Sequence, residues 1–376
     1  MPRLVRLKCA ATFLVAICSL LLFHHDTFAQ HACSPDSPSC TVPTTCDTGI
    51  GCQTGGSTCS GGLNCSGCST CISGCSIDNG CDYLGLYGSA DAVFWTLGGS
   101  DRTLIQRFDS RTGGTSTVFT ANDFQTTRAT PRIMLGMQLT PVFAVEGQYN
   151  GFSPWRSSQT LNTDLLLPGD LPRIQNPSDY LMAERMIVRS ETSFHTAELN
   201  FVRKIKQTNL TTLAGFRYIN FNEKFGINST PDLRVPNWSS DYLVHAKNDL
   251  YGGQLGLKWN PRVTNRFVLD IVGKAGVYGN NARQSTLLRD HDNVTVRRNV
   301  SMKKNATAFV GELNFGGNYK ITEGLSFIGG YNLLWVGDTA RAADQLDFTE
   351  SATSSHFVAT DTLFMHGASV GLAWNF

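Results

Sequence analysis

The sequence predicts an all-β chain whose strands close into an antiparallel transmembrane β-barrel. Three observations predict this fold: apolar residues recur at every second position, the links between these segments alternate in length, and the last segment ends on an aromatic residue. A side-chain period of two is typical of strands with one apolar face. Because lipid offers the backbone no hydrogen-bond partners, strands can span a membrane only as a closed barrel.

Residues 1–29 are predicted to be a signal peptide. Basic residues precede an apolar run from Cys9 to Phe23, and Thr27-Phe28-Ala29 supplies small residues for cleavage. This arrangement is typical of a secretory signal, and the run is short for a helix that spans a membrane. No later stretch approaches the roughly 18 consecutive apolar residues of a membrane helix, so strands would have to cross.

Residues 30–82 form a cysteine-rich segment of Gly, Ser, Thr and Pro without Lys or Arg. This composition cannot bury a hydrophobic core, so we expect the segment to be disordered or stapled by disulfides. Secretion exposes the thiols to an oxidising compartment, which favours disulfides within the chain or between chains. The candidates are Cys33, Cys40, Cys46, Cys52, Cys59, Cys65, Cys68, Cys71, Cys75 and Cys81.

A metal site is the alternative for part of this segment. The run from Cys65 to Cys75 has the spacing of iron–sulfur ligands, and zinc could use the same thiolates. However, Ser76 stands where proline is usual, and no second run supplies a partner cluster. We therefore predict no metal and no cofactor.

Residues 83–376 are predicted to form the barrel. In at least five segments one face is nearly free of charge, and these segments begin near Phe143, Ala197, Tyr251, Phe267 and Phe309. They run for up to about 15 residues, whereas soluble strands usually have about five or six and membrane strands need roughly 9–11. The length of the alternation therefore favours strands that cross a membrane.

The links between these segments alternate between tight and long. Tight links lie near Thr140-Pro141 and Gln207-Thr208 and at 260–265 and 322–324. Long polar stretches cover 156–191, 226–249, 280–304 and 338–361. Membrane barrels have short periplasmic turns and long external loops, so we expect the polar stretches to be external.

The strand count follows from these links. Tracing from a first strand near Leu86–Leu97 gives about ten strands, an even number that leaves both ends in the periplasm. A further hairpin at Leu104–Phe108 and Thr117–Thr120 would make twelve.

The C-terminal strand carries a predicted assembly signal. Apolar residues alternate with small or polar ones up to Phe376, and only His366 interrupts the apolar row. A glycine followed by two spaced aromatic residues resembles the strand that the outer-membrane assembly machinery reads. The residues concerned are Gly371, Trp374 and Phe376.

Six motifs occur in order between residues 85 and 376. They are Ala90-Asp91-Ala92-Val93-Phe94-Trp95, Ala197-Glu198-Leu199-Asn200, Gly215-Phe216-Arg217-Tyr218 with Glu223, Tyr251-Gly252-Gly253-Gln254-Leu255-Gly256-Leu257, Gly330-Tyr331-Asn332-Leu333-Leu334-Trp335, and Arg341 with Asp344-Gln345-Leu346-Asp347. In this order they resemble the seventh β-barrel porin family of planctomycete-type bacteria. The resemblance implies an outer-membrane barrel, with membrane lipids and the barrel-assembly machinery as partners. It implies little about solutes.

Charged residues on the polar faces are predicted to point into the lumen. They are Asp91, Arg132, Glu146, Glu198, Arg217, Lys258, Asp270, Lys274 and Glu312. Charges of both signs in a narrow barrel usually pair. Eight strands leave room only for side chains, and open channels belong to barrels of about 16 or more. A salt-bridged plug and a narrow conducting pore therefore both stay open.

The predicted function is passive diffusion of small solutes through a narrow, charged lumen. The alternative is a structural or adhesive surface protein that is anchored to the cell wall, or crosslinked to copies of itself, through its cysteines. Gly367-Ala368-Ser369-Val370-Gly371 matches a nucleophile elbow, but the required helix is absent from the pattern, so we predict no enzyme.

Charge argues against a nucleic-acid partner and points weakly to anionic polymers. The formal net charge of the chain is only +1. Nucleic-acid-binding domains are usually strongly basic. Basic residues within 280–304 could nevertheless meet anionic lipopolysaccharide or a surface polymer. They are Arg283, Arg289, Arg297, Arg298, Lys303 and Lys304.

Overall fold

The computed structural model describes residues 85–375 with short gaps. The gaps are 99–102, 125–126, 152–153, 169–179, 181, 235–237, 291, 293 and 348–356. The predicted signal peptide, the cysteine-rich segment with its ten disulfide candidates, and Phe376 lie outside the described residues. Among the described residues no helix is long and apolar enough to cross a membrane.

Thirteen strands and two short 3₁₀ turns occur in the described part of the chain. The strands are β1 Gly85–Leu97, β2 Thr103–Phe108, β3 Thr115–Thr120, β4 Thr127–Gln138, β5 Phe143–Gly151, β6 Trp155–Pro168, β7 Ala183–Lys204, β8 Leu210–Thr230, β9 Ser240–Trp259, β10 Phe267–Arg289, β11 Val296–Lys320, β12 Leu325–Thr339 and β13 Asp361–Asn375. The turns are Ala121–Phe124 and Ala343–Gln345.

Ten of the described strands form a closed antiparallel ring. Its order is β1-β4-β5-β7-β8-β9-β10-β11-β12-β13, and β13 pairs back onto β1 with Val370 opposite Ala92. The tight links of the sequence join neighbouring strands at one end of the ring, which we call the turn end. The predicted antiparallel barrel of about ten strands is therefore confirmed.

The predicted extra hairpin exists but does not enter the ring. β2 and β3 pair with each other, and β2 adds to β6 near Gln106 and Leu167. β5 pairs with β7 only as far as His195, and beyond that level β6 takes its place beside β7. The twelve-strand alternative is therefore wrong, because these strands extend the sheet above the ring instead of widening it.

Strands also replace most of the predicted long loops. β8 continues to Thr230 before β9 begins at Ser240. β10 ends at Arg289 and β11 begins at Val296, so the link between them is short. The polar stretches keep buried apolar side chains at alternate positions, so they continue as strands. We call this extension, formed by residues 155–168, 183–192, 222–230, 240–248, 282–289 and 296–304, the raised wall.

Along the ring strands, side chains that face the lumen alternate with side chains that face outward. On β7 and β8, Leu199, Phe201 and Phe216 are at least half exposed, whereas Glu198 and Arg217 are buried. Membrane barrels show this alternation of an apolar outer face with a polar interior. In the structure the apolar face of these strands thus points outward and the polar face points into the lumen, as the sequence predicts.

Exposed aromatic residues mark both ends of the apolar outer band. At the turn end they are Phe143, Trp259, Tyr319 and Phe327, and at the opposite end Tyr149, Tyr251 and Tyr331. On β9 the band runs from Tyr251 to Trp259, close to the roughly 9–11 residues that a membrane strand needs. His366, which breaks the apolar row of β13, lies at the far end, where its Nδ1 is 2.6 Å from the Tyr331 hydroxyl.

The band predicts where an added charge is costly. Leu255 and Leu243 both face outward on β9, but Leu255 lies inside the band and Leu243 lies on the raised wall. We expect Leu255→Arg to lower the free energy of unfolding by about 2–4 kcal/mol and Leu243→Arg to change it little. Urea unfolding of the protein refolded into lipid vesicles measures both. Equal losses would contradict this placement of the band.

Candidate functional site: the barrel interior

The inward-facing side chains fill the ring in layers, and the first layer surrounds a polar chamber near the turn end. The chamber has a volume of about 300 Å³. Arg132 lies opposite Asp91 and donates to it through Nε and Nη2, at 3.0 and 2.6 Å, while its Nη1 donates to Asn332 at 2.8 Å. The pairing between adjacent strands β1 and β4 thus brings two predicted lumen residues together.

Three more predicted lumen residues line this chamber. The Nζ of Lys258 donates to Glu146, which also accepts from the Tyr87 hydroxyl at 3.0 Å. Asp270 accepts from Nδ2 of Asn260 at 2.5 Å. Among the described residues no cation lies within salt-bridge distance of Asp270, so this carboxylate differs from the other predicted lumen charges.

The second layer is a buried network of four charges. Arg217 donates to Glu312 through Nη1 at 2.5 Å, and Lys274 donates to Glu198 at 2.7 Å. Lys274 also lies 3.4 Å from Glu312, which links the two pairs. Gln254 donates to Glu198 at 2.5 Å. Two positive and two negative groups, each less than a tenth exposed, therefore neutralise one another.

The network connects strands that are not neighbours. Arg217 is on β8 and Glu312 on β11, while Glu198 is on β7 and Lys274 on β10. Each pair therefore spans the lumen rather than running along the wall. The pair of Lys258 on β9 with Glu146 on β5 does the same near the chamber.

The third layer is apolar. Trp95, Phe194, Phe221, Leu250 and Leu334 come from five strands and are almost fully buried in one cluster. The sequence interpretation treated the lumen as a set of charges and missed this layer. Its signal was the segment around Ile219 on β8, where both faces are apolar.

A segment between β12 and β13 closes the far end of the ring. We call residues 340–347 the strap. A bulge between Val336 and Thr339, with Asp338 in the left-handed region at φ 51°, changes the direction of the chain at the end of β12. Ala340, Ala342 and other strap residues are buried in an upper apolar cluster with residues of the raised wall.

Side chains of the raised wall bind the strap backbone at both of its ends. Asn248 donates through Nδ2 to the carbonyl of Ala340 and accepts from the Ala340 N–H through Oδ1, both at 2.8 Å. At the other end, the Asp347 carbonyl accepts from Arg298 at 2.6 Å and from the Tyr242 hydroxyl at 3.0 Å. The strap therefore completes its backbone hydrogen bonds with the wall, as buried backbone requires.

An ion pair fixes the strap next to its first residue. Arg341 donates to Glu223 through Nε, at 3.0 Å to each oxygen, and through Nη2 at 2.8 Å. Glu223 also accepts from the N–H of Ala342 at 2.9 Å. Burial lowers the pKa of the Arg341 guanidinium, but the Glu223 carboxylate outweighs this effect and raises the pKa above its ordinary value. We call the Glu223–Arg341 pair the latch.

Two residues of the predicted assembly signal lie where β13 pairs with β1. Gly371 lies opposite Asp91 in the β1–β13 pair, where a Cβ atom would collide with the backbone of Ala90. Trp374 pairs with Gly88 at the turn end. Glu223 and Arg341 belonged to two separate motifs of the resemblance, and the structure shows that they meet.

Two other kinds of site, a metal centre and a nucleophile elbow, have no counterpart among the described residues. Within the described ranges, no three His, Cys, Asp or Glu side chains group so as to hold a metal ion. Ser369, the centre of the elbow-like motif, lies inside β13 with strands on both sides. A nucleophile elbow needs a sharp turn between a strand and a helix, and this position has neither.

Comparisons with known proteins identify one family. The family model described as "Putative beta barrel porin-7 (BBP7)" matches residues 181–376, just over half of the chain. No protein with a curated description matches the sequence. The matched range includes the latch, the strap and the buried network.

Solved structures with a similar fold are distant. The outer membrane protease OmpT of Escherichia coli is 10% identical, with 80% of this chain and 100% of that chain covered and a TM-score of 0.44. The translocator domain of the autotransporter NalP of Neisseria meningitidis is 8% identical, with coverages of 80% and 91% and a TM-score of 0.36. The toluene transporter TodX of P. putida is 12% identical, with coverages of 79% and 91% and a TM-score of 0.29. At these scores the likenesses carry no argument about activity.

The buried network predicts a large effect for one substitution. Lys274→Met would leave Glu198 and Glu312 buried with one cation fewer, so we expect a loss of about 3–5 kcal/mol in the free energy of unfolding. Lys320→Met, which breaks the exposed pair with Glu323, should cost far less, because solvent screens that pair. Urea titration in detergent compares the two. A small loss for Lys274→Met would show that the network is not desolvated.

The latch predicts a protease-sensitive strap. Glu223→Gln removes the carboxylate that accepts three hydrogen bonds from Arg341 and leaves the buried guanidinium only the more distant Asp361, at 3.9 Å, so the strap should leave the mouth. Trypsin should then produce a peptide ending at Arg341, which mass spectrometry detects and which wild type should not yield. Glu191→Gln is the control, because Glu191 pairs with Arg156 on the exposed outer face. Equal cleavage in all three proteins would contradict the role of the latch.

Proposed function

This chain belongs to the beta barrel porin-7 family of outer-membrane β-barrels, and from that premise we propose that it is a surface barrel whose lumen is closed at rest. Its main role in this proposal is structural: the ring anchors the protein in the membrane and carries the raised wall outside it. The closed lumen separates it from open diffusion pores, which belong to barrels of about 16 or more strands.

One observation carries this proposal: three of the ion pairs in the lumen join strands that are not neighbours. Arg217 and Glu312 reach each other from β8 and β11, and Lys274 joins Glu198 to Glu312 in the same layer. The apolar layer lies against this network through Tyr278, whose hydroxyl donates to Gln254 at 3.1 Å. A water column would have to displace both layers, and unpaired buried charges are costly.

The cysteine-rich segment is part of the structural proposal. Its thiols would crosslink the barrel to the cell wall or to further copies of the chain after export by the signal peptide. Free thiol titration and non-reducing gels of envelope preparations test this part separately, because it depends on the segment before the barrel and not on the lumen.

Passive diffusion of small solutes is the second candidate. The observation that favours it is the polar chamber, which offers a solute about 300 Å³ of space on the periplasmic side. Asp270 lines that chamber without a cationic partner among the described residues, so it could attract a cation. Diffusion would require both the buried network and the strap to open transiently. No enzymatic activity is proposed, since Ser369 is not in an elbow.

Bilayer conductance decides between the two candidates. We expect single refolded barrels to show conductance close to the baseline. The network, the apolar layer and the strap all close the lumen, so an open channel needs a change in each of them. Arg217→Ala with Glu312→Ala, combined with Phe221→Ala and Glu223→Gln, should open a small channel. Together they delete volume from two layers, release the strap and leave Lys274 balanced by Glu198.

The matched control removes an ion pair of the outer face, with Arg156→Ala and Glu191→Ala together. It should not change the conductance. A steady conductance in wild type, with a selectivity that shifts on Asp270→Asn, would support diffusion and overturn the closed resting state.

A further inference from the structure

Three basic residues lie side by side on the outer face of the raised wall. Lys247 on β9 is directly opposite Arg283 on β10, and Arg283 is directly opposite Lys303 on β11. Arg283 and Lys303 are exposed, and the Lys247 side chain is 37% exposed. We call these three residues the basic row. Sequence interpretation singled out Arg283 and Lys303 but missed Lys247, because it lies on another segment.

The basic row has little compensating charge. Nζ of Lys247 lies 3.3 Å from Asp249, which also accepts from Tyr218 and Asn220. Arg283 donates from Nε to the Asn281 amide oxygen at 3.3 Å. Within the part of the chain that the structure describes, neither Arg283 nor Lys303 has a carboxylate within salt-bridge distance. Like charges directly opposite each other on neighbouring strands destabilise a sheet.

Two of the other basic residues of this region have partners elsewhere. Arg298 faces inward and binds the carbonyl of Asp347 in the strap. Arg297 is paired with Asp290 at 2.7 Å. The basic row is therefore defined by the register of β9, β10 and β11, which places Lys247 beside two residues of the basic segment 280–304.

The row lies just beyond the outer aromatic rim of the membrane band. On β9, Tyr251 is stacked on Tyr218 of the neighbouring β8, with ring centroids 4.8 Å apart. On β10, the half-exposed Val277 lies opposite Gly253, two residues nearer the turn end than Tyr251. Lys247 lies four residues beyond Tyr251 along β9. At about 3.3 Å per residue and a strand tilt of roughly 35–45°, the row is about 10 Å above the rim. The headgroup region extends roughly 5–7 Å beyond the hydrocarbon, so long Lys and Arg side chains that bend toward the rim reach it from this level.

We propose that Lys247, Arg283 and Lys303 form a binding site for the phosphate groups of an anionic lipid in the outer leaflet. The phosphates would supply the counter-charge that the row lacks. Arginine can bind phosphate through two parallel hydrogen bonds, and the flanking lysines act as point charges. Basic residues beside a membrane attract anionic headgroups in the same way. This inference concerns the outer face and does not depend on whether the lumen conducts.

Lipid binding by the refolded protein tests the site. Native mass spectrometry and thermal unfolding in zwitterionic detergent are followed while diphosphorylated lipid A is added. Wild type should bind it and unfold at a higher temperature. The triple variant Lys247→Gln, Arg283→Gln, Lys303→Gln should bind roughly a hundredfold more weakly, since each basic residue contributes about fivefold. Lipid A stripped of phosphates should bind neither protein.

Removing the charge repulsion gives a second readout that needs no lipid. Without anionic lipid, the triple variant should unfold at a higher temperature than wild type, because three adjacent like charges are gone. The control variant Lys206→Gln, Arg262→Gln, Arg266→Gln changes three exposed cations at the turn end and should leave lipid binding unchanged.

Three outcomes would overturn the proposal. They are equal lipid affinity of wild type and the triple variant, equal affinity for the lipid without phosphates, and equal protection by inorganic phosphate, which would make the ligand a soluble anion. If the triple variant does not fold, Arg283→Gln alone replaces it. The single variant should lose about fivefold in affinity, and unchanged affinity would count against the site.

Discussion

The need to satisfy every backbone hydrogen bond in lipid determines this architecture. A sheet in hydrocarbon must have no free edge, so β13 has to return to β1 and close the ring. Closure then fixes which way each residue points, because lipid takes the outward positions and the lumen takes the rest. Within the membrane band, charged residues are confined to the inside, where burial is costly unless they are paired or hydrogen-bonded. The cross-lumen pairs, such as Arg217 with Glu312, follow from this confinement.

Polarity inverts along the strands where they leave the membrane. In the band, Gln254 faces inward and Leu255 faces outward, whereas higher on the same strand Val244 is buried inside and His245 lies on the outer face. The alternation is continuous, but lipid surrounds the lower part and water surrounds the upper part. The raised wall can therefore hold an apolar core that packs the strap, and its outer face can carry charge beside the headgroups.

The ring strands could be predicted from the sequence, but the contacts that close the lumen could not. Period-two patterns and turn spacing gave the ten ring strands, because both are local signals. The upper strands were interpreted as loops, since the inverted polarity hides the apolar face among polar residues. Glu223 and Arg341 are 118 residues apart, and no local pattern indicates that they pair. Asp270 resembled the other lumen charges in sequence, yet its partner is Asn260.

The order of the strands has a consequence for assembly. β7 to β11 follow one another in both sequence and space, so residues 183–320 can pair through local hairpins that form quickly. The seam between β1 and β13 joins the two ends of the barrel sequence and carries the largest loop-closure entropy. The strap precedes β13 in the chain and binds Glu223, Asn248 and Tyr242 of that early wall. It can therefore settle into the mouth while the ring is still open, which makes the closed lumen a product of folding order.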